Sequence, residues 1–130
     1  MDPLVSVIVP TYQRCASVQR LLLALSHQSL APEKYEVIIV IDGSTDGTRE
    51  MVERSSTSFR LRGIWQTNQG RAAACNRGIN AAMGEVIVLL DDDMEASPDL
   101  LEAHWNAHQG NLHLGVLGAV PICLDSTSTP

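Results

Sequence analysis

Apolar and polar positions alternate in blocks along the chain. Leu4-Val5-Ser6-Val7-Ile8-Val9, Glu36-Val37-Ile38-Ile39-Val40-Ile41 and Glu85-Val86-Ile87-Val88-Leu89-Leu90 are short runs rich in β-branched residues. Such runs predict strands buried on both faces, the first closed by Pro10. Arg60 to Gln66 predicts a further strand with a weaker pattern. Between these runs the spacing changes to that of helices. Val18, Leu21, Leu22 and Leu25 fall at i, i+3, i+4 and i+7, which predicts a helix over 15–28 that stops before Pro32. A short exposed helix follows Gly43-Ser44-Thr45-Asp46-Gly47, with Asp46 as an N-cap and Arg49–Glu53 and Glu50–Arg54 as i,i+4 pairs. Ala72, Cys75, Ile79 and Ala82 mark one face of a third helix, closed by Gly84. Ser97-Pro98-Asp99 opens a fourth, running to about Gln109 with Leu101, Trp105 and His108 inward. A last apolar run spans Gly115 to Val120, and 126–130 is a polar tail.

Strands alternating with helices predict one α/β domain over 1–125, a mostly parallel open sheet with helices on both faces. Ligands in such sheets bind beyond the carboxyl ends of the strands. Here the first strand ends at Thr11-Tyr12, the second at Asp42 and the last at Asp91-Asp92-Asp93, so parallel order gathers all of these on one edge. Three adjacent carboxylates call for a nearby positive charge, and hard divalent cations take oxygen ligands. Arg71 opens the third helix, whose first N–H groups favour an anion. Asp42 can then grip a nucleoside, Asp93 a cation, the cation a diphosphate and Arg71 the phosphate charge. Plainer readings stand beside these: a solvated acidic loop, Arg71 as a surface ion pair, and Tyr12 as a hydrophobic cover. His104 and His108 lie i,i+4, a spacing that suits zinc, but packing explains them without further acids.

Four segments resemble family 2 glycosyltransferases. They are Val5-Ser6-Val7-Ile8-Val9-Pro10-Thr11-Tyr12, Val40-Ile41-Asp42-Gly43-Ser44-Thr45-Asp46-Gly47-Thr48, Asn68-Gln69-Gly70-Arg71 through Asn76-Arg77-Gly78-Ile79, and Leu90-Asp91-Asp92-Asp93. The resemblance implies a GT-A fold, a Rossmann-like three-layer α/β/α arrangement, and transfer of sugar from a nucleoside-diphosphate sugar, with a UDP-sugar as the expected donor. It implies that Pro10, Thr11, Tyr12 and Asp42 contact the nucleoside. Asp91-Asp92-Asp93 becomes the DxD motif, with Asp93 and Asp91 on Mg2+ or Mn2+ and Asp92 near the ribose or sugar; Arg71 becomes a diphosphate contact. The family often carries two acids before the Gly-Ser turn, and here the first position is Ile41. The family's acceptor half, with its catalytic base and Gln-x-x-Arg-Trp motif, finds no counterpart. The chain is expected to be the donor-binding half of a larger enzyme, with its base outside it, or a non-catalytic nucleotide-binding module.

Composition narrows the field. A formal charge of −6 over 130 residues argues against a nucleic-acid partner. No apolar run approaches the ~20 residues of a membrane span, so membrane association is expected only through further segments. Met1-Asp2-Pro3 lacks the basic n-region of a signal peptide. Cys15, Cys75 and Cys123 are too few for a disulfide framework, which favours a cytoplasmic location. Lys34 is the one lysine, so the lysine that phosphoaspartyl hydrolases and phosphorelay receivers need after the acidic motif is absent. The segment Pro10 to Arg14 holds no glycine, unlike a dinucleotide-binding turn.

Overall fold

The described strands form one four-stranded sheet in which every neighbouring pair is parallel. The computed structural model of the chain describes residues 3–109. In chain order these form β1 (Val5–Thr11), α1 (Cys15–Leu25), a 3-10 turn (Pro32–Lys34), β2 (Tyr35–Asp42), α2 (Thr48–Arg54), β3 (Arg60–Gln66), α3 (Arg71–Ala81), β4 (Val86–Leu89) and α4 (Leu100–Gln109). The expected run at 115–120, Asp125 and the 126–130 tail lie outside the described residues.

Alternate side chains of β2 go to opposite layers. A Cβ placed on Gly78 of α3 would lie 2.4 Å from Ile8 and 3.1 Å from Val40, so α3 covers the face that carries those two residues. A Cβ on Gly63 would meet Val52 of α2 and Ile41, which assigns α2 to the other face; α1 packs beside α2. The three-layer expectation holds. The positions on each layer also explain a sequence feature. Ile41, where the family often has an acid, points into the α2 layer, away from the layer that Asp42 shares with α3.

Gly78 permits the close approach of α3. Replacing it with alanine gains about 1 kcal/mol of helix propensity but overpacks a fully buried contact, which costs about 1–3 kcal/mol. With Ile8 fully buried and no room to retreat, the second effect wins. Gly78→Ala is therefore expected to lower the urea midpoint, and a midpoint at or above wild type would contradict this packing.

Several boundaries differ from the sequence expectation. β1 does not stop at Pro10 but runs through it, because Pro10 and Thr11 still pair with Val40 and Ile41. α1 ends at Leu25 rather than at 28, since Ser26, His27 and Gln28 fold their side chains back onto the carbonyls of Leu22, Leu23 and Ala24. α3 buries Ala74, Cys75 and Gly78, and leaves Ala72, Ile79 and Ala82 half-buried. Gly84 does not cap α3, which ends at Ala81 with Ala82 extended; its missing side chain instead makes room for the Ser6 amide, 2.8 Å from where a Cβ would sit. Among the described residues β4 is the last strand of the sheet, and Ile87 is exposed rather than buried. α4 begins at Leu100 and turns His104 inward with Leu101, while Trp105 and His108 are half-buried.

At the amino end of the sheet a buried acid fastens the layers. Glu36 is fully buried; it accepts hydrogen bonds from the Ser6 hydroxyl at 2.6 Å and the Met83 amide at 2.8 Å. Arg62 lies 3.6 Å from the other carboxylate oxygen and donates to the Ala81 carbonyl. The turn from α3 into β4 is thus tied to β1 and β2, which sets where β4 delivers its acids at the opposite end.

Candidate functional site

Sheet order reverses at β1: β2 and β3 build to one side, β4 to the other. In open parallel sheets such a reversal leaves a crevice beyond the strand ends. The local sequence opens it further. The amides of Val86 and Leu90 donate to the carbonyls of Leu4 and Ile8, so even-numbered residues of β1 face β4. Pro10 is the next of these and has no N–H to offer. The β1–β4 ladder ends there, and the chain after Leu90 turns away carrying Asp91, Asp92 and Asp93.

The three acids take up different environments. Asp92 is buried, and the Thr11 hydroxyl donates to it at 2.8 Å across the crevice. Burial pushes the Asp92 carboxyl above the usual range, although the Thr11 hydrogen bond and Arg14 oppose it. Asp91 is paired with Arg71. Asp93 is exposed, with the Arg14 guanidinium 3.9 Å away. Burial pulls the Arg71 guanidinium below its ordinary value, and Asp92 and Asp93 work against that. Arg71 Nε is buried and has no hydrogen-bond partner among the described residues. Tyr12, Arg14, Arg71 and the three acids together line a cavity of about 350 Å³. Three carboxylates against two guanidiniums leave it one formal negative charge.

Asp42 does not line this cavity; it builds the wall behind it. Its Oδ1 accepts from Gln66 Nε2 and the Gln69 amide, both at 2.8 Å, and Oδ2 accepts from the Gly70 amide at 3.0 Å. The Asn68 side chain donates to the Asp42 carbonyl at 3.1 Å. The loop from β3 into α3 is therefore wrapped around one buried carboxylate, and this places Arg71 at the start of α3. Gly70, at φ +101, takes a backbone shape that other residues rarely adopt. Pro10 is buried in the strand and acts through the ladder rather than by lining the cavity.

The family model for glycosyl transferase family 2 matches residues 6–129. The chain belongs to glycosyl transferase family 2. The validoxylamine A glucosyltransferase of Streptomyces hygroscopicus subsp. limoneus is 37% identical over 110 residues, 83% of this chain and 24% of that protein. The crystal structure of S. aureus TarS 1-349 in complex with UDP-GlcNAc superposes with a TM-score of 0.77 at 28% identity, over 91% of this chain and 36% of that one. The mannosyltransferase PcManGT from Pyrobaculum calidifontis, in complex with GDP-Man and Mn2+, gives a TM-score of 0.66 at 34% identity, over 72% of this chain and 28% of that one. The fold is of the GT-A type. The chain spans about a quarter of the length of the first of these relatives.

The structure brings Tyr12, Arg71 and the acid triplet to one cavity, with Thr11 hydrogen-bonded to Asp92 at its edge. Among the described residues no three His, Cys, Asp or Glu side chains converge as a ready-made metal cage, His104 and His108 included. Sequence reasoning passed over two residues of the loop joining β1 to α1, Gln13 and Arg14. Gln13 has φ +55, an uncommon value for a residue with a side chain. Its amide donates to the Ser44 hydroxyl at 2.8 Å, its side-chain amide donates to Thr45 Oγ1 at 2.9 Å, and its side-chain oxygen accepts from the Thr45 amide at 2.9 Å. Asp46 completes the clamp. It accepts from the Thr48 amide and hydroxyl, although the N-cap position of α2 is Gly47 rather than the expected Asp46, and also from the Cys15 amide at the start of α1. Burial alone would raise the Asp46 carboxyl, but these hydrogen bonds outweigh it and hold it low. The Gly43–Gly47 loop therefore braces both the start of α2 and the loop that carries Tyr12 and Arg14. The available signal was position: any arginine just beyond a strand that ends on the acidic edge has the triplet within reach.

Proposed function

We propose that this chain is the donor-binding half of a glycosyltransferase, holding a nucleoside-diphosphate sugar through a divalent cation. The observation that carries this reading is the cavity at the β1–β4 reversal, where carboxylates and guanidiniums face the same space. Such a lining suits a ligand that brings positive and negative charge together, as a metal–diphosphate does. The donor set fits Mg2+ or Mn2+. Its oxygens are hard ligands, and these ions bind through one or two carboxylates plus substrate phosphates rather than a full protein cage. The buried Nε of Arg71, without a partner among the described residues, is a donor still to be satisfied, which suits an anion.

Asp93, exposed and free of hydrogen bonds among the described residues, is the first cation ligand, with Asp91 beside it. Arg71 holds diphosphate oxygens. Asp92, fixed by Thr11, accepts from the ribose or sugar hydroxyls. Tyr12 and Asp42 flank the nucleoside side. A bound cation supplies Lewis-acid stabilisation of the departing nucleoside diphosphate. The bond from the anomeric carbon to the diphosphate breaks as an acceptor oxygen attacks, and the base taking the acceptor proton lies outside this chain. Every carboxylate lining the cavity already has a cationic neighbour, which supports assigning the base elsewhere and keeps a purely nucleotide-binding module as the second reading.

Calorimetric titration with UDP and with GDP, each with and without Mn2+, tests the donor reading. UDP is expected to bind, and much more tightly with the metal than without it, in line with the likeness to the UDP-GlcNAc complex. Preference for GDP would reassign the base; failure of both nucleotides to bind would remove the reading. Hydrolysis or transfer of the sugar from a UDP-sugar then separates enzyme from module.

A further inference from the structure

We propose that Arg14 is an exchangeable counter-charge: it neutralises Asp92 and Asp93 while the cavity lacks a cation, and moves to the diphosphate when a cation takes its place. The proposal rests on the donor-site reading above. Three observations lead to it. First, the two arginines of the cavity are not equivalent. Arg71 is half-buried and committed to Asp91, whereas the Arg14 side chain is 55% exposed. Second, Arg14 stands off from its acids. Its Nε is 3.8 Å from Asp92 Oδ1 and one terminal nitrogen is 3.9 Å from Asp93 Oδ2, close enough to pair charges but beyond hydrogen-bond length. The Arg14–Asp93 half is exposed on both sides, where ion pairs are weak, and buried Asp92 keeps its Thr11 hydrogen bond when Arg14 leaves, so little opposes the release.

Third, the backbone beneath Arg14 is fixed although its side chain is not. Gln13 is held at positive φ by Ser44 and Thr45 on one side, and Cys15 is held by Asp46 on the other. Strained residues that the surroundings over-determine are found where a fixed geometry is needed, and here the fixed element is the root of Arg14. The guanidinium pivots from a set position at the cavity rim. Charge supplies the reason to move. A cation bound at Asp93 would sit beside a guanidinium and be repelled, while the diphosphate it brings would attract the same group. Exchange removes the repulsion and adds a second arginine contact to the diphosphate.

Calorimetry on wild type and Arg14→Gln, first with Mn2+ alone and then with UDP at saturating Mn2+, reads the exchange. The variant keeps the side-chain stem and changes an exposed group, so the fold is retained, which a thermal melt verifies. Without its competitor, the metal alone is expected to bind about three-fold more tightly. Without the second diphosphate contact, UDP is expected to bind about ten-fold more weakly. These opposite signs distinguish an exchanging charge from a structural one. Both affinities falling together, or either remaining at the wild-type value, would overturn the exchange. If wild type itself binds neither Mn2+ nor UDP, the donor reading fails and takes the exchange with it.

Discussion

Asp42→Ala is expected to weaken the fold by about 3 kcal/mol and to lower UDP affinity with or without metal. The stability loss comes from the donors left behind. Gln66 is buried on the sheet, and the Gln69 and Gly70 amides point inward to the same carboxylate. Removing one acceptor leaves all three unsatisfied, and a hydrogen bond to a charged group contributes more than a neutral one. The affinity loss has a second route, because the same carboxylate shapes the loop that presents Arg71. Asp42→Asn separates the two effects. It keeps Oδ1 as an acceptor for Gln66 and Gln69 but turns an amide toward the Gly70 N–H, so it should fall between alanine and wild type in stability. Urea denaturation gives the first quantity and calorimetry the second. An alanine variant with the wild-type urea midpoint would show that those donors find water instead, and that Asp42 does not organise the loop.

The sequence carried the fold where one layer decides it. Runs such as Val37–Ile41 are apolar at every position because both faces of β2 are covered, and that pattern needs only local reading. It misjudged β4 because, among the described residues, a strand of the same composition at the end of the sheet leaves Ile87 outside. Helix ends were missed where side chains return to the backbone, as at Ser26 to Gln28, since such bonds depend on local geometry rather than on periodicity. The acidic edge was legible because parallel order alone brings strand ends together. What was not legible were pairings between residues far apart in the chain. Gln13 meets Thr45, Asp42 meets Gly70 and Glu36 meets Met83, and nothing in the spacing of these residues marks them as partners. The same holds for Arg14. Its neighbours Thr11 and Tyr12 were marked by the family motif, whereas its own place at the cavity follows from the clamp beneath it.

Asp93→Asn is expected to remove most of the metal-dependent UDP affinity while leaving stability unchanged. Asp93 is exposed and makes no hydrogen bond among the described residues, so its charge contributes little to folding. Its value lies in being available. Asp91 is held by Arg71 and Asp92 by Thr11, so of the three acids Asp93 alone can meet a cation without first releasing a hydroxyl or a close ion pair. Loss of a residue that merely orients a metal ligand typically costs ten- to a hundred-fold in affinity, so loss of a ligand itself should cost about a hundred-fold or more. The metal-free part of UDP binding should persist or strengthen slightly, because the cavity loses one negative charge that repels the phosphates. UDP isotherms at several fixed Mn2+ concentrations separate the two parts, and urea midpoints check the fold. A variant that keeps wild-type metal dependence would shift the cation to Asp91, and Arg71 would then have to give up its partner for every donor bound. That alternative predicts its own signature: Asp91→Asn, not Asp93→Asn, would abolish the metal dependence.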